Sequence, residues 1–167
     1  MSKKRENKFL SFIVVIIVAI FVGAIYMVVS SGNLYKNTSN NQSTSNQIYK
    51  SKAMKFSIDV PSKFQIKENL PTITVKNAKG EIYIDRSGTN FETLEEHLEN
   101  LSNLNHLIIS NKENVSINTL PAVKGIINGK MHYFIYAAPW TVYSIFTNSP
   151  PLFSDLDKIA QSFKYTP

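Results

Sequence analysis

Hydrophobic and polar positions divide the chain into three zones. In residues 9–30 there is no charge, and only Ser11, Gly23, Tyr26 and Ser30 interrupt a run of Phe, Leu, Ile, Val, Ala and Met. As a helix the run is about 33 Å long, enough for a hydrocarbon core of about 30 Å. A helix buried in a water-soluble domain shows a polar stripe, and this run has none. The pattern predicts one transmembrane helix over 9–30. The competing expectation is a cleaved secretory signal, whose apolar region is shorter and ends at small residues. Val28-Val29-Ser30 matches that ending weakly.

Next comes a polar zone. In residues 31–47, 13 of 17 positions are Ser, Thr, Asn or Gln. Such a stretch buries too little surface to offset its ordering entropy. It predicts a flexible linker holding the C-terminal zone on the order of 20–25 Å from the membrane. Asn37-Thr38-Ser39 and Asn41-Gln42-Ser43 match the N-glycosylation pattern, as chance allows in so Asn- and Ser-rich a stretch.

Residues 48–167 alternate and then change period. Residues 55–60 place Phe56, Ile58 and Val60 on one side and stop at Pro61, which predicts a strand. Short strands come next around Phe64 and Ile66 and around Ile73 and Val75. After the turn at 77–80, residues 81–86 alternate through Ile82 and Ile84. Thr93 with Glu96 forms a capping-box pattern. Leu94, Leu98, Leu101 and then Leu104 or Leu107 recur at helical spacing, predicting a helix over 93–105. Strands are expected at 115–119, 122–127, 131–137 and 140–147. Asn128-Gly129 marks a tight hairpin, and Ala138-Pro139 a turn. The strands at 131–137 and 140–147 are apolar on nearly both faces, so each face needs cover. Residues 150–163 carry a stripe of Leu152, Phe153, Leu156, Ile159, Ala160 and Phe163, with Ser149 as cap and Pro150 in first position. The economical fold is α+β, an antiparallel sheet sandwiched between helices, preceded by one transmembrane helix.

Three stretches carry a resemblance. The strand Lys55-Phe56-Ser57-Ile58-Asp59-Val60-Pro61-Ser62, the capped segment Thr93-Leu94-Glu95-Glu96-His97-Leu98 and the ending Gln161-Ser162-Phe163-Lys164 resemble the Mog1/PsbP-like superfamily over about residues 53–165. The resemblance implies an α/β/α sandwich around an antiparallel sheet. Members include the extrinsic photosystem II protein PsbP, a nuclear-transport factor that binds a small GTPase, and many anchored bacterial domains. They are binding or assembly modules with no shared catalytic constellation, so the resemblance transfers no active-site residue.

Composition and charge refine the picture. The 167 residues carry a net charge of +6 and no cysteine. One ordinary domain with appendages fits that length. Lack of cysteine excludes disulfides, a thiolate metal site, a cysteine nucleophile and a cysteine-linked lipid. Residues 1–8 hold Lys3, Lys4, Arg5 and Lys8 against Glu6, and Lys36 adds one charge. Residues 48–167 hold 13 basic and 11 acidic residues. The basic excess is thus mostly a topology signal, placing residues 1–8 in the cytoplasm and the 48–167 domain outside. It argues against a nucleic-acid partner.

Candidate chemistry is sparse. His97, His106 and His132 show no HxxxH or HExxH spacing, and no metal site is expected. There is no G-x-S-x-G elbow and no glycine-rich phosphate loop. Asp155 and Asp157 are two apart on a helix and do not face each other. No catalytic, cofactor-binding or metal residue is assigned, and no cofactor. Tyr83, Tyr133, Tyr136, Trp140 and Tyr143 either pack under the helices or form a stacking surface for ring ligands. Trp140, beside Pro139, is the candidate partner contact. The expectation is a membrane-anchored, extracytoplasmic, non-catalytic binding or assembly domain. Its partners would be the bilayer through 9–30 and another membrane or extracytoplasmic protein. An exported small-molecule or metal-binding protein is the alternative, and a hydrolase a distant third. External protease added to intact cells should remove the 48–167 domain; digestion only after lysis would reverse the topology.

Overall fold

The computed structural model describes residues 45–167. The expected basic tail, the transmembrane helix and nearly all of the linker, sequons included, lie outside the described residues. Among the described residues no helix is long and apolar enough to cross a membrane.

The chain runs through β1 (Asn46–Ser51), β2 (Phe56–Pro61), β3 (Gln65–Asn69), β4 (Thr72–Asn77) and β5 (Gly80–Gly88) to α1 (Leu94–Asn105). It continues through β6 (Ser110–Ile117), β7 (Leu120–Ile127), β8 (Lys130–Ala138) and β9 (Thr141–Thr147). A 3-10 turn (Pro150–Leu152), α2 (Phe153–Gln161) and β10 (Lys164–Tyr165) complete it. A seven-stranded sheet has the order β3-β4-β5-β9-β8-β7-β6, and a small sheet the order β1-β2-β10. All pairs are antiparallel.

The large sheet buries residues on both faces. On one, Ile73, Ile82, Ile84, Ile135, Tyr143 and Ile145 pack with Phe56 and Ile58 of β2 and with Leu156, Ile159 and Phe163 of the C-terminal region. On the other, Val123, Ile127, Phe134 and Val142 lie under Leu94 and Leu98 of α1. The fold is thus mostly antiparallel sheet with two short helices, and helices alone do not make up the cover. The first face is covered by α2 together with the three-stranded sheet, and α1 covers only the β7–β8 side of the second. The reason is size. A nine-residue helix is roughly 13 Å long. Seven strands spaced about 4.8 Å apart span nearly 30 Å.

Several local signals act as expected. Thr93 and Glu96 form the full capping box of α1. Asn128 and Gly129 take φ of 50° and 77°, as a two-residue hairpin with the right-handed strand twist requires. Others act differently. Leu104, expected in the α1 stripe, is 70% exposed. His106 ends the helix in the left-handed region, and Leu107 and Ile109 fold back onto the α1 core in its place. That return is tight: a Cβ on Gly125 would collide with Ile109 Cγ2, so glycine is needed there. Ser149 does not cap a helix. Its hydroxyl donates to the Lys79 carbonyl at 2.6 Å, and the paired prolines after it open a 3-10 turn before α2 begins. The expected strand at 140–147 starts one residue later, with Trp140 in the turn.

Phe163 lies beyond the last turn of α2 but is fully buried. Its ring stacks on Phe56 at 5.3 Å and tilts against Tyr143 at 4.9 Å. It thus joins the small sheet, the large sheet and the C-terminal segment. Phe163→Ala should cost about 3–5 kcal/mol in a denaturant melt. A silent substitution would place this segment outside the core.

Candidate functional site

The histidines do not converge. His106 is the exposed C-cap of α1. His97 is buried on α1, its Nδ1 2.9 Å from the Thr89 hydroxyl. Burial holds its pKa below the usual value, so a neutral ring faces Thr89. His132 lies on β8 in a row of stacked rings on the α1-side face. It is 4.8 Å from Phe146 and 5.5 Å from Phe134, and Phe146 stacks on Tyr83 at 5.3 Å. Its Nε2 is buried without a partner. Burial, aided by Lys130, pushes its pKa down to about 4. Among the described residues no three His, Asp or Glu side chains gather as a metal would need.

The two α2 carboxylates point to different partners. Asp155 accepts from Lys63 Nζ at 3.1 Å. Asp157 takes the Tyr133 hydroxyl at 2.7 Å and Lys124 at 3.0 Å. Both are engaged in tying α2 to the sheets. Of the aromatic set, Tyr133 and Tyr143 pack in the core beneath α2 as the packing reading expects. Tyr83 is half-buried on the α1-side face, stacked on Phe146.

Trp140 stands apart. It is 52% exposed and occupies, with Pro139, the two-residue loop between β8 and β9. Its φ is +67°. The position after proline in such a loop suits Gly or Asn. A left-handed conformation costs an ordinary residue roughly 1–2 kcal/mol. Bonds to the segment before α1 hold the loop. The Thr89 N–H donates to the Trp140 carbonyl at 3.0 Å, and the Tyr136 hydroxyl donates to the Phe91 carbonyl at 3.2 Å. The Thr89 hydroxyl also accepts from the Phe91 N–H at 3.2 Å while facing His97. Buried His97 thus engages Thr89, the residue whose N–H binds the hairpin.

This arrangement opens a trough. A hollow of about 490 Å³ lies between the start of α1 and strands β6 and β7, walled by Leu94, Val115, Pro121, Val123 and Tyr136. A second, of about 380 Å³, runs from Tyr136 past Pro139 to Trp140. Glu92 and Tyr136 line both, so the two adjoin at these residues. On its other side Trp140 borders a separate hollow of about 400 Å³ with Leu70, Pro71 and Arg86. The trough offers apolar walls and carboxylates, and no nucleophile paired with a base. Sequence reasoning singled out Trp140 and missed Glu92. The available signal was the Pro139-Trp140 pair between two strong strands, a turn that asks for glycine and received tryptophan.

No family model matches the sequence, and no curated protein does. Among solved structures, the chain is similar to the solution structure of cyanobacterial PsbP (CyanoP) from Synechocystis sp. PCC 6803. Identity is 9% and the TM-score 0.49, over 73% of this chain and 93% of that one. It is also similar to a protein from Bacteroides thetaiotaomicron VPI-5482. There identity is 12% and the TM-score 0.50, over 72% of this chain and 48% of that one. Such likenesses concern the fold alone.

The depressed histidines generate a pH prediction. Both are neutral when folded, whereas an unfolded histidine titrates near 6.5. The His132 contribution is complete above about pH 6.5 and is lost as pH falls toward 4, and that of His97 falls in the same direction. Denaturant melts should lose on the order of 1–3 kcal/mol over that window through His132 alone. His132→Phe should flatten the profile; an unchanged slope would refute the assignment.

Proposed function

We propose that the chain is a membrane-tethered, extracytoplasmic binding or assembly module of PsbP-like type, with no reaction of its own. The observation that carries the binding role is Trp140, the sole tryptophan, held exposed in a backbone conformation that disfavours it, at the mouth of an apolar trough. Strained backbone clusters at functional sites, and of the positive-φ positions this one carries an exposed indole ring. Tryptophan also dominates contact energies when an interface buries it.

The tethering rests on the charge-free residues 9–30 behind Lys3, Lys4, Arg5 and Lys8. The PsbP-like reading rests on the sequence resemblance and on the antiparallel sheet that carries α1 on one face and α2 on the other. Apolar walls without a nucleophile or base pair favour binding over turnover.

Full-length chain carrying a photo-crosslinking phenylalanine derivative at position 140 tests this in cells. Illumination should give adducts with a small set of membrane or extracytoplasmic proteins. The same group at Asn128, at the opposite end of β8, should give few. Equal labelling from both positions, or adducts confined to cytoplasmic proteins, would sink the proposal.

A further inference from the structure

We propose that the trough between α1 and the Pro139-Trp140 hairpin receives a segment of a partner protein that presents an apolar side chain flanked by lysine or arginine. This rests on the binding-module reading and adds the chemistry of the partner. The charged residues lining the two adjoining hollows are Glu92 and Glu95, and no Lys, Arg or His lines either. Glu95 pairs with Lys112. Glu92 is exposed and carries no ion pair among the described residues. Helix α1 also carries Glu96 and Glu99, outside the lining of either hollow, and contains no Lys or Arg. The unpaired charge of the lining is therefore the Glu92 carboxylate, on a domain whose residues 48–167 carry 13 basic against 11 acidic side chains. Low-dielectric walls concentrate its field.

The apolar half of the match is equally defined. Each hollow falls within the roughly 300–1,000 Å³ typical of ligand sites. An aliphatic or aromatic side chain seats beside Tyr136 and Trp140, and a neighbouring cation reaches Glu92. A guanidinium or ammonium over either ring gains a cation–π attraction as well. An anionic lipid surface meets the same carboxylates with the wrong sign. A second copy of the chain presents its own carboxylates.

The sole tryptophan is the reporter. Full-length chain in a non-ionic detergent is titrated with a short synthetic peptide alternating leucine with lysine, and with the same peptide carrying glutamate in place of lysine. The lysine peptide should shift Trp140 emission saturably and bind about tenfold or more tighter than its glutamate counterpart. Added salt should narrow the gap. Glu92→Lys should abolish or reverse the preference. Trp140→Gly should lose peptide binding by calorimetry while the domain still unfolds cooperatively, because glycine suits the turn. Equal binding of the two peptides, or a preference that survives Glu92→Lys, would overturn the proposal. So would emission that moves only with phosphatidylglycerol vesicles, or a dimer that buries Trp140. Loss of peptide selectivity with intact crosslinking from position 140 would remove the charge assignment alone. Selective peptide binding without any extracytoplasmic crosslink would remove the tethered-module reading alone.

Discussion

The fold depends on burying the central strands of the large sheet on both faces. Strand β8 sends Tyr133, Ile135 and Ala137 to one side and Phe134 to the other, and β9 does the same with Tyr143 and Ile145 against Val142. Two covers are therefore required, and the chain supplies them unequally. One side receives α2, the small sheet and the Phe56–Tyr143–Phe163 cluster. The other receives α1 over β7 and β8. The remaining part of that second face, across β4, β5 and β9, carries Thr74, Tyr83, Ser144 and Phe146, each partly open. Ring stacking along Tyr83, Phe146, His132 and Phe134 reduces the apolar surface left there.

The small sheet owes its place to polar ties as much as to apolar packing. Glu68 on β3 accepts from Tyr49 at 2.7 Å and from Ser51 at 2.8 Å, binding β1 to the edge of the large sheet. Those bonds hold the Glu68 carboxyl below its usual pKa. The Tyr143 hydroxyl donates to the Met54 carbonyl from within the core. Asn118 Nδ2 donates to the Phe163 carbonyl at 2.7 Å, closing the C-terminal segment over the β6–β7 turn. The ends of the domain are thus fastened at several points, which leaves the β8–β9 hairpin and the segment before α1 to shape the trough.

How much of the fold was legible in the sequence depends on how local each signal is. The Thr93–Glu96 box and Asn128-Gly129 specify their own geometry, and the structure has both. Strand β1 was hidden because Asn46 and Gln47 belong to a polar tract. Its pairing with β2 uses backbone groups, which carry no side-chain pattern. The first half of β6 was hidden for a related reason. Residues 110–114 are polar, exposed and interrupted by a register shift after Ser110, the features of a sheet edge that avoids pairing with other chains. Strand β10 is two residues long and too short for any period. Glu92 was missed because an exposed carboxylate one residue before a helix cap carries no spacing signal for the strands that the fold sets beside it.

Trp140 shows how a departure from local rules carries functional information. Sequence consistency across levels is what makes a chain fold to one state. The hairpin obeys that rule nearly everywhere: β8 and β9 pair from Met131↔Thr147 inward, and Pro139 suits the first loop position. It departs from that rule beside the turn, where the register shifts between Tyr136 and Ala138, and at the second loop position, which carries the largest side chain where the smallest is favoured. Half of the residue faces solvent and half is covered; at about 25 cal/mol per Å² that cover is comparable with the roughly 1–2 kcal/mol cost of the backbone. The backbone bond from Thr89 holds the turn but engages only the Trp140 carbonyl, which any residue would supply. What the isolated domain does not use is the exposed half of the indole. A large apolar face left open on a turn that glycine or asparagine would close without strain is accounted for when the indole has a partner outside the chain.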